Sequence, residues 1–248
     1  MRDNISVIAN LLSRPWSGVL EASKDGFACV QPPDAGIAPE NMSEDCLTLN
    51  IFTTNISSIN RPVMLFIHGG GFHVGSKDYY RMRDLIEEEV ILVTINYRLH
   101  VFGFLSFGNS VVSGNMGLRD QQLAIRWVRE NIRAVGGDPG RITIFGESAG
   151  AMSVQAQVLS PHNTGLLAGA IAQSGSILFL SFSEEKSGLA AALNTASALG
   201  CPADLDLRTL HCLQGRDIKA QLANISDDTT SILADPSYRA RFEFYLMC

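Results

Sequence analysis

Ile142-Thr143-Ile144-Phe145-Gly146-Glu147-Ser148-Ala149-Gly150 leads from a β-type apolar run through a tight turn into a segment of helical character. A serine at the apex of a sharp strand-to-helix turn must adopt a strained backbone, and its neighbours two positions away must be small to avoid collision. Gly146 and Gly150 meet that demand, which makes Ser148 a candidate nucleophile. The turn also aims the first N–H groups of the following helix at the reaction centre, where they stabilise an anion. The Ala149 amide is the obvious donor.

The five-residue pattern fixes only three positions in a chain that carries 22 glycines, so a second element is needed. Upstream, Val63-Met64-Leu65-Phe66-Ile67 reads as a buried strand and runs straight into His68-Gly69-Gly70-Gly71-Phe72. Three glycines by themselves are an ordinary turn. Placed one strand before a serine elbow, their unobstructed backbone amides can donate to an oxyanion.

The 248 residues, 46% of them hydrophobic, suffice for the core of one α/β unit. A formal net charge of -6 without a block of lysines or arginines gives nothing to attract phosphate backbones or anionic lipid, which excludes nucleic acid as a partner. The apolar stretch from Val90 to Leu105 is broken by Asn96, Arg98 and His100 and falls short of a membrane span. Ile5 to Leu12, behind Arg2 and Asp3, is too short and too polar for a secretory core, so no signal peptide is expected in this stretch. The five histidines show no metal-ligand spacing such as His-x-x-x-His, and neither metal nor cofactor is expected.

Strands and helices alternate. Leu47 to Phe52 alternates apolar and polar residues as a half-exposed strand does, whereas Val63 to Ile67 and Val90 to Ile95 are nearly continuous hydrophobic runs that require cover on both faces. The pattern predicts a mixed, mostly parallel sheet with helices on both faces. Arg83 to Glu89 reads as a helix. Leu118 to Val135 reads as another, with Ala124, Trp127, Val128, Ile132 and Val135 on its apolar face. Gly136-Gly137-Asp138-Pro139-Gly140 stops that helix ahead of the elbow strand, and Ala170 to Gln173 is a further strand after the elbow helix.

These residues resemble a family. Gly114-Asn115-Met116-Gly117-Leu118, Asp120-Gln121-Gln122, Trp127-Val128, Asn131-Ile132, Gly136-Gly137-Asp138-Pro139, the elbow, Leu159-Ser160-Pro161 and Gln173-Ser174-Gly175 are similar to segments of the type-B carboxylesterases and cholinesterases. So are Ser43-Glu44-Asp45-Cys46-Leu47-Thr48-Leu49-Asn50-Ile51 and Asn96-Tyr97-Arg98, and the likeness runs from about Pro15 to about Leu213. The resemblance implies an α/β-hydrolase fold with a serine, histidine and acid triad, the serine at Ser148 and the oxyanion donors at Gly70, Gly71 and Ala149. It implies hydrolysis of a small-molecule carboxylic ester through an acyl-enzyme. Arg98 and Asp120 resemble a structural ion pair of the family. Glu147 is expected to be fixed by hydrogen bonds beneath the elbow, and His68 to anchor its loop rather than act as a base.

The likeness has a gap. In these hydrolases the acid and then the histidine follow the elbow on loops after later strands. Only His162 and His211 follow Ser148 here, and a pairing of Ser148 with His211 and Asp204 or Asp206 is the alternative within the sequence. The expectation is a single partial domain over residues 1–248, incomplete at both ends, its sheet truncated after the elbow half, whether as a short isoform, a partial gene model or a degenerate copy. Such a chain lacks the triad acid and histidine and is weakly active or inactive alone. It exposes a sheet edge through which copies could associate. Arg239 to Cys248 does not resemble the family's continuation and reads as a divergent tail.

The positions of Cys29 and Cys46, and of Cys201 and Cys212, resemble the disulfide loops of the family, and bridges of that size contribute about 3 kcal/mol each in the chain-entropy model. The other reading of the cysteines is five buried thiols in a reducing compartment. Asn4, Asn41, Asn55 and Asn224 begin Asn-x-Ser triplets, which agree with a secreted glycoprotein but recur by chance. Cholinesterases hold a quaternary ammonium with a tryptophan in the first disulfide loop, and Val30 to Asp45 has no aromatic residue, so an uncharged ester is expected rather than a choline ester. The competing class is a non-catalytic adhesion or binding relative. Such relatives lose the nucleophile or the glycines that this chain keeps.

Overall fold

The computed structural model describes residues 17–19, 22–32, 36–56, 59–80, 82–177 and 185–217. Two short strands, β1 (Ala28–Cys29) and β2 (Met42–Ser43), pair in parallel beside the Cys29–Cys46 disulfide. The chain then lays down β3 (Leu49–Phe52), β4 (Arg61–Ile67), helix α1 (Arg83–Glu87), β5 (Ile91–Ile95), α2 (His100–Phe104), α3 (Met116–Asn131), β6 (Gly137–Glu147), α4 (Ala149–Leu159) and β7 (Gly169–Gln173). Helices α5 (Glu185–Ala198) and α6 (Leu207–Gln214) follow, and the Cys201–Cys212 disulfide ties their connection to α6.

The main sheet has the order β3-β5-β4-β6-β7. Only β3 runs antiparallel; the β5, β4, β6 and β7 pairings are parallel, so the sheet is mixed and mostly parallel as the apolar runs predicted. Alternation along each strand decides which face every residue serves. Val63, Leu65, Ile67, Ile91, Val93, Ile95, Ile142 and Ile144 pack with Leu118, Ile125, Val128 and Val154 from α3 and α4. Phe66, Leu92 and Phe145 point the other way and are covered by Leu85 and Ile86 of α1 together with Tyr80 and Met82. Helices therefore lie on both faces, and β5, β4 and β6 form the centre of the sheet.

The long helix departs from the predicted one. It begins at Met116, and its end tightens into a 3₁₀ turn over Ile132–Val135, closed by Gly136 at φ 88°. Leu118, Gln121, Ile125 and Val128 are among its buried positions, joined by Ile132 in the 3₁₀ turn, whereas Trp127 is 43% exposed. Trp127 was expected on the apolar face. That face is set by the i, i+3, i+7 positions running from Leu118 to Ile125 and Val128, and Trp127 stands one residue off it. A second feature, a buried polar seam between α3 and α4, has no hydrophobic pattern to announce it. Gln121 donates to Ser153 Oγ at 3.0 Å, Gln157 donates to Gln121 Oε1 at 3.1 Å and to the Leu118 carbonyl at 2.8 Å, and Asn163 donates to Gln157 Oε1 at 2.8 Å.

Arg98 and Asp120 form the structural ion pair the resemblance implied. The guanidinium Nε and Nη2 each donate to the carboxylate at 2.8 Å, and the Arg98 amide adds a third bond at 3.0 Å, all buried. This pair fixes the loop after β5 to the second turn of α3. Asn96 performs the same service on the other side: its side chain accepts from the Lys77 amide and donates to the carbonyls of Phe27 and Cys46.

The strand β7 is the outer one, and from Ala170 to Gln173 it is exposed, Ile171 by 44%. Among the described residues no strand pairs with its far edge. No helix among them is long and apolar enough to cross a membrane. The expectations for Asn4, Asn224, the segment from Ile5 to Leu12 and the tail from Arg239 to Cys248 lie outside the described residues. Asn41 and Asn55 are both exposed.

Removing one member of a buried, bidentate pair leaves the other charge uncompensated at a cost of about 3 to 5 kcal/mol. Asp120→Ala is therefore expected to lower the urea unfolding free energy by about that amount. A loss below about 1 kcal/mol would show that solvent reaches Arg98 in solution.

Candidate active site

The ends of β4, β6 and β7 meet at one corner. Ser148 follows β6 directly, caps the N-terminus of α4 and has φ 55° and ψ -120°, a conformation that an L-residue adopts only under constraint. Strain of this kind costs about 1 to 3 kcal/mol and persists where the surroundings over-determine it. The surroundings here are backbone. A Cβ on Gly146 would lie 2.6 Å from the Ile67 carbonyl oxygen and from Gly150, and a Cβ on Gly150 would lie 2.1 Å from the same Ile67 oxygen. The sequence reading required small residues at these two positions, and the geometry gives the reason: the elbow crosses the end of β4 without room for side chains.

Two further glycines complete the corner. A Cβ on Gly69 would meet the Glu147 carbonyl at 2.6 Å and Ser148 Cβ at 3.3 Å, and one on Gly175 would meet the Ser148 carbonyl at 2.4 Å. The Ser148 amide donates to the Gln173 carbonyl at the end of β7 at 2.9 Å, and its carbonyl accepts from the Met152 amide at 3.1 Å. Gly69 and Gly175 stood in quoted motifs, but nothing in their spacing connected them to Ser148; only the parallel pairing β4-β6-β7 brings them together.

The glycine loop after β4 is a tight turn. Gly70, Gly71 and Phe72 have φ 105°, 63° and 63° in succession, and the Gly70 carbonyl accepts from the amides of His73 and Val74 at 3.0 Å each. Gly70 cannot carry a side chain, since a Cβ there would sit 2.1 Å from the Val74 carbonyl. Phe72 tolerates its unusual φ because the ring is buried against Phe104 and Tyr97 and its carbonyl accepts from the His100 amide at 2.9 Å. Among the described residues, the amides of Gly70, Gly71 and Ala149 donate to no protein acceptor. Ala149 is 2% exposed and sits at the first position of α4, where the helix dipole favours negative charge.

His68 anchors this loop. Its ring is buried and stacks on Tyr97 at 4.4 Å, Nδ1 lies 2.8 Å from the Gly69 carbonyl, and the Tyr97 hydroxyl donates to the His68 carbonyl at 2.9 Å. The carbonyl partner requires a proton on Nδ1, so Nε2 carries the lone pair, and Nε2 has no partner among the described residues. Burial lowers the His68 pKa to about 4, against the smaller opposing effect of the Gly69 hydrogen bond. The ring is neutral at ordinary pH.

Glu147 differs from expectation. It is exposed and its side chain makes no hydrogen bond among the described residues; the last residue of β6 turns its side chain over Gly69, with Oε2 3.1 Å from a Cβ placed there. Its carboxylate adds to burial in raising the Tyr80 phenol above its ordinary pKa. All five histidines fall within the described residues, and none hydrogen-bonds the Ser148 hydroxyl. His162 is exposed in the 3₁₀ turn Pro161–Asn163 and His211 is exposed on α6. Asp204 and Asp206 are engaged by Arg208 at 2.9 Å, so the alternative pairing with His211 is not assembled. No three histidine, cysteine or carboxylate side chains converge as metal ligands among the described residues.

The chain is similar to known proteins over most of its length. The model of the Carboxylesterase family matches residues 11–242. The chain is 42% identical over 221 residues to the acetylcholinesterase of Gallus gallus, a span that covers 82% of this chain and 28% of that protein. It is 44% identical over 219 residues to the bile salt-activated lipase of Mus musculus, covering 83% and 36%. Against the para-nitrobenzyl esterase of Bacillus subtilis (strain 168) it is 47% identical over 169 residues, covering 64% and 35%. The chain thus spans between 28% and 40% of the length of the curated relatives it matches.

Two outcomes follow from the geometry. Gly150→Ala sets a methyl group against the Ile67 carbonyl and is expected to destabilise the fold by about 1 to 3 kcal/mol or more, measured by urea unfolding, because backbone on both sides cannot give way. His68 has a folded-state pKa below its unfolded value near 6.5, so the unfolded chain binds the extra proton between pH 6.5 and 4. Stability is retained above that window and falls by about 3 kcal/mol as pH drops through it. His68→Gln is expected to flatten the pH dependence; an unchanged slope would assign it to other groups.

Proposed function

Because the chain belongs to the carboxylesterase family, we propose that it carries the nucleophile half of a serine carboxylic-ester hydrolase. The observation that carries the reading is the strained Ser148 at the N-terminus of α4, beside a glycine turn whose amides have no protein acceptor. Ser148 Oγ attacks the ester carbonyl, and its proton passes to a base. The carbonyl oxygen becomes an oxyanion held by the amides of Gly70, Gly71 and Ala149. The tetrahedral intermediate collapses, the alcohol leaves with a proton, and water hydrolyses the acyl-Ser148 ester by the same route. One such amide supplies about 2.7 to 4 kcal/mol of transition-state stabilisation.

Among the described residues no histidine hydrogen-bonds the Ser148 hydroxyl. In α/β-hydrolases the base and its acid come after the elbow, in the order serine, acid, histidine. Residues 1–248 alone are therefore proposed to be a weak hydrolase or an inactive one. The substrate is a small carboxylic ester, uncharged rather than a choline ester, since the Cys29–Cys46 loop offers no aromatic face to a quaternary ammonium. The two disulfides and the exposed Asn41 and Asn55 support an oxidising, extracellular setting. The far edge of β7, unpaired among the described residues, is the surface through which the chain would associate with another strand. A second reading is a binding relative without catalysis, in which Ser148 does not react.

The test uses the purified chain, a fluorophosphonate and 4-nitrophenyl butyrate. Ser148 is expected to be phosphonylated, with labelling lost in Ser148→Ala. Ester turnover is expected to stay within the roughly 10³ to 10⁴-fold over water that an oxyanion hole and binding supply without a triad. Unlabelled Ser148 in the folded chain would favour the binding reading. Fast turnover abolished by Ser148→Ala would show that these residues hold their own base.

A further inference from the structure

We propose that Gln155 is a positioning residue for Ser148, one that staples the corner after β7 against the underside of the elbow; the proposal rests on the reading of Ser148 as a nucleophile. Gln155 lies on α4 seven residues beyond Ser148, two helical turns or about 10 Å along the axis. Its side chain makes a two-way clamp across to the segment that follows β7: Nε2 donates to the Gly175 carbonyl at 3.1 Å, and Oε1 accepts from the Ile177 amide at 3.0 Å. Both ends of the amide are used, so the side chain has one orientation and the corner one position. Ile177 is buried in the main core, which seats the far side of the same corner.

What the clamp holds is the floor of the nucleophile. The corner turns at Ser174, whose φ of 55° matches that of Ser148, and it presents two groups to the elbow. The Gln173 carbonyl accepts the Ser148 amide at 2.9 Å, and Gly175 abuts the Ser148 carbonyl so closely that a Cβ there would lie 2.4 Å away. Ser148 is thus confined from beneath by Gln173 and Gly175 and from above by Gly69, whose Cβ position is 3.3 Å from Ser148 Cβ. A strained φ and ψ survives only while both walls stay in place. The upper wall is built into β4. The lower wall follows an edge strand that is exposed from Ala170 to Gln173, and the side-chain clamp that ties it to α4 is Gln155.

The experiment compares the wild-type chain with Gln155→Met, which keeps the length and loses both hydrogen bonds, and with Val128→Ala as a core-destabilised control. Two quantities are read at a temperature well below unfolding: exchange of the Ser148 amide relative to that of Ile144 in the same strand-turn unit, and the second-order rate of fluorophosphonate labelling. Gln155→Met is expected to speed Ser148 exchange relative to Ile144 at least tenfold and to slow labelling about tenfold. Val128→Ala should change neither. Gln155→Glu retains the acceptor for Ile177 without a donor for Gly175 at neutral pH and should fall between. Unchanged relative exchange in Gln155→Met overturns the clamp whatever the labelling does, and unchanged labelling with faster exchange overturns its effect on reactivity. Absence of labelling in the wild type would overturn the nucleophile reading instead, and the exchange ratio then decides the clamp by itself.

Discussion

The architecture depends on a close approach of backbones. The end of β4, the elbow between β6 and α4, and the corner after β7 pass one another at distances that exclude even a methyl group, with Gly69, Gly146, Gly150 and Gly175 at the crossing points. The cost of forcing Ser148 into φ 55° is offset because three parallel strands deliver their ends to one place, and the glycines let them do so. The Ser148 side chain makes no capping hydrogen bond and sits at the start of a helix, where the dipole favours negative charge.

Around that crossing buried polar groups hold the loops together with apolar contacts such as Phe72 on Phe104. Arg98 with Asp120, Asn96 with three backbone segments, Gln31 with Gly75, and Tyr97 with His68 each tie a loop to a strand end or helix start. Such groups contribute modest net stability but are costly to disrupt, so they fix geometry more than they add free energy. His68 shows the balance most clearly. It is kept neutral by burial, spends Nδ1 on the Gly69 carbonyl, and holds the entrance of the glycine turn in place.

Much of this was legible in the sequence because the strong signals are local. The nearly continuous apolar runs of Val63 to Ile67 and Val90 to Ile95 read as strands covered on both faces, and Gly146 and Gly150 around Ser148 read as an elbow once the glycine loop one strand upstream was set beside them. Trp127 misled because a large apolar residue one position off a helical stripe still looks like part of it. Glu147 was expected to be fixed below the elbow but turns out over Gly69, and no periodicity reports the direction of a strand's last side chain. The glutamine seam of Gln121 and Gln157, the clamp of Gln155 and the contacts of Gly69 and Gly175 join residues far apart in the chain. Polar residues leave no hydrophobic period, and such pairings exist only once the sheet order β4-β6-β7 is fixed.

The central claim is that Ser148 is poised opposite three amides prepared to bind a negatively charged oxygen. The most direct measurement is a crystal structure of the chain after phosphonylation of Ser148 by a fluorophosphonate. The account predicts the phosphonyl oxygen within about 2.7 to 3.1 Å of the amide nitrogens of Gly70, Gly71 and Ala149, with Ser148 still at positive φ. A phosphonyl oxygen directed into solvent, or Ser148 relaxed to an ordinary helical or extended conformation, would contradict it.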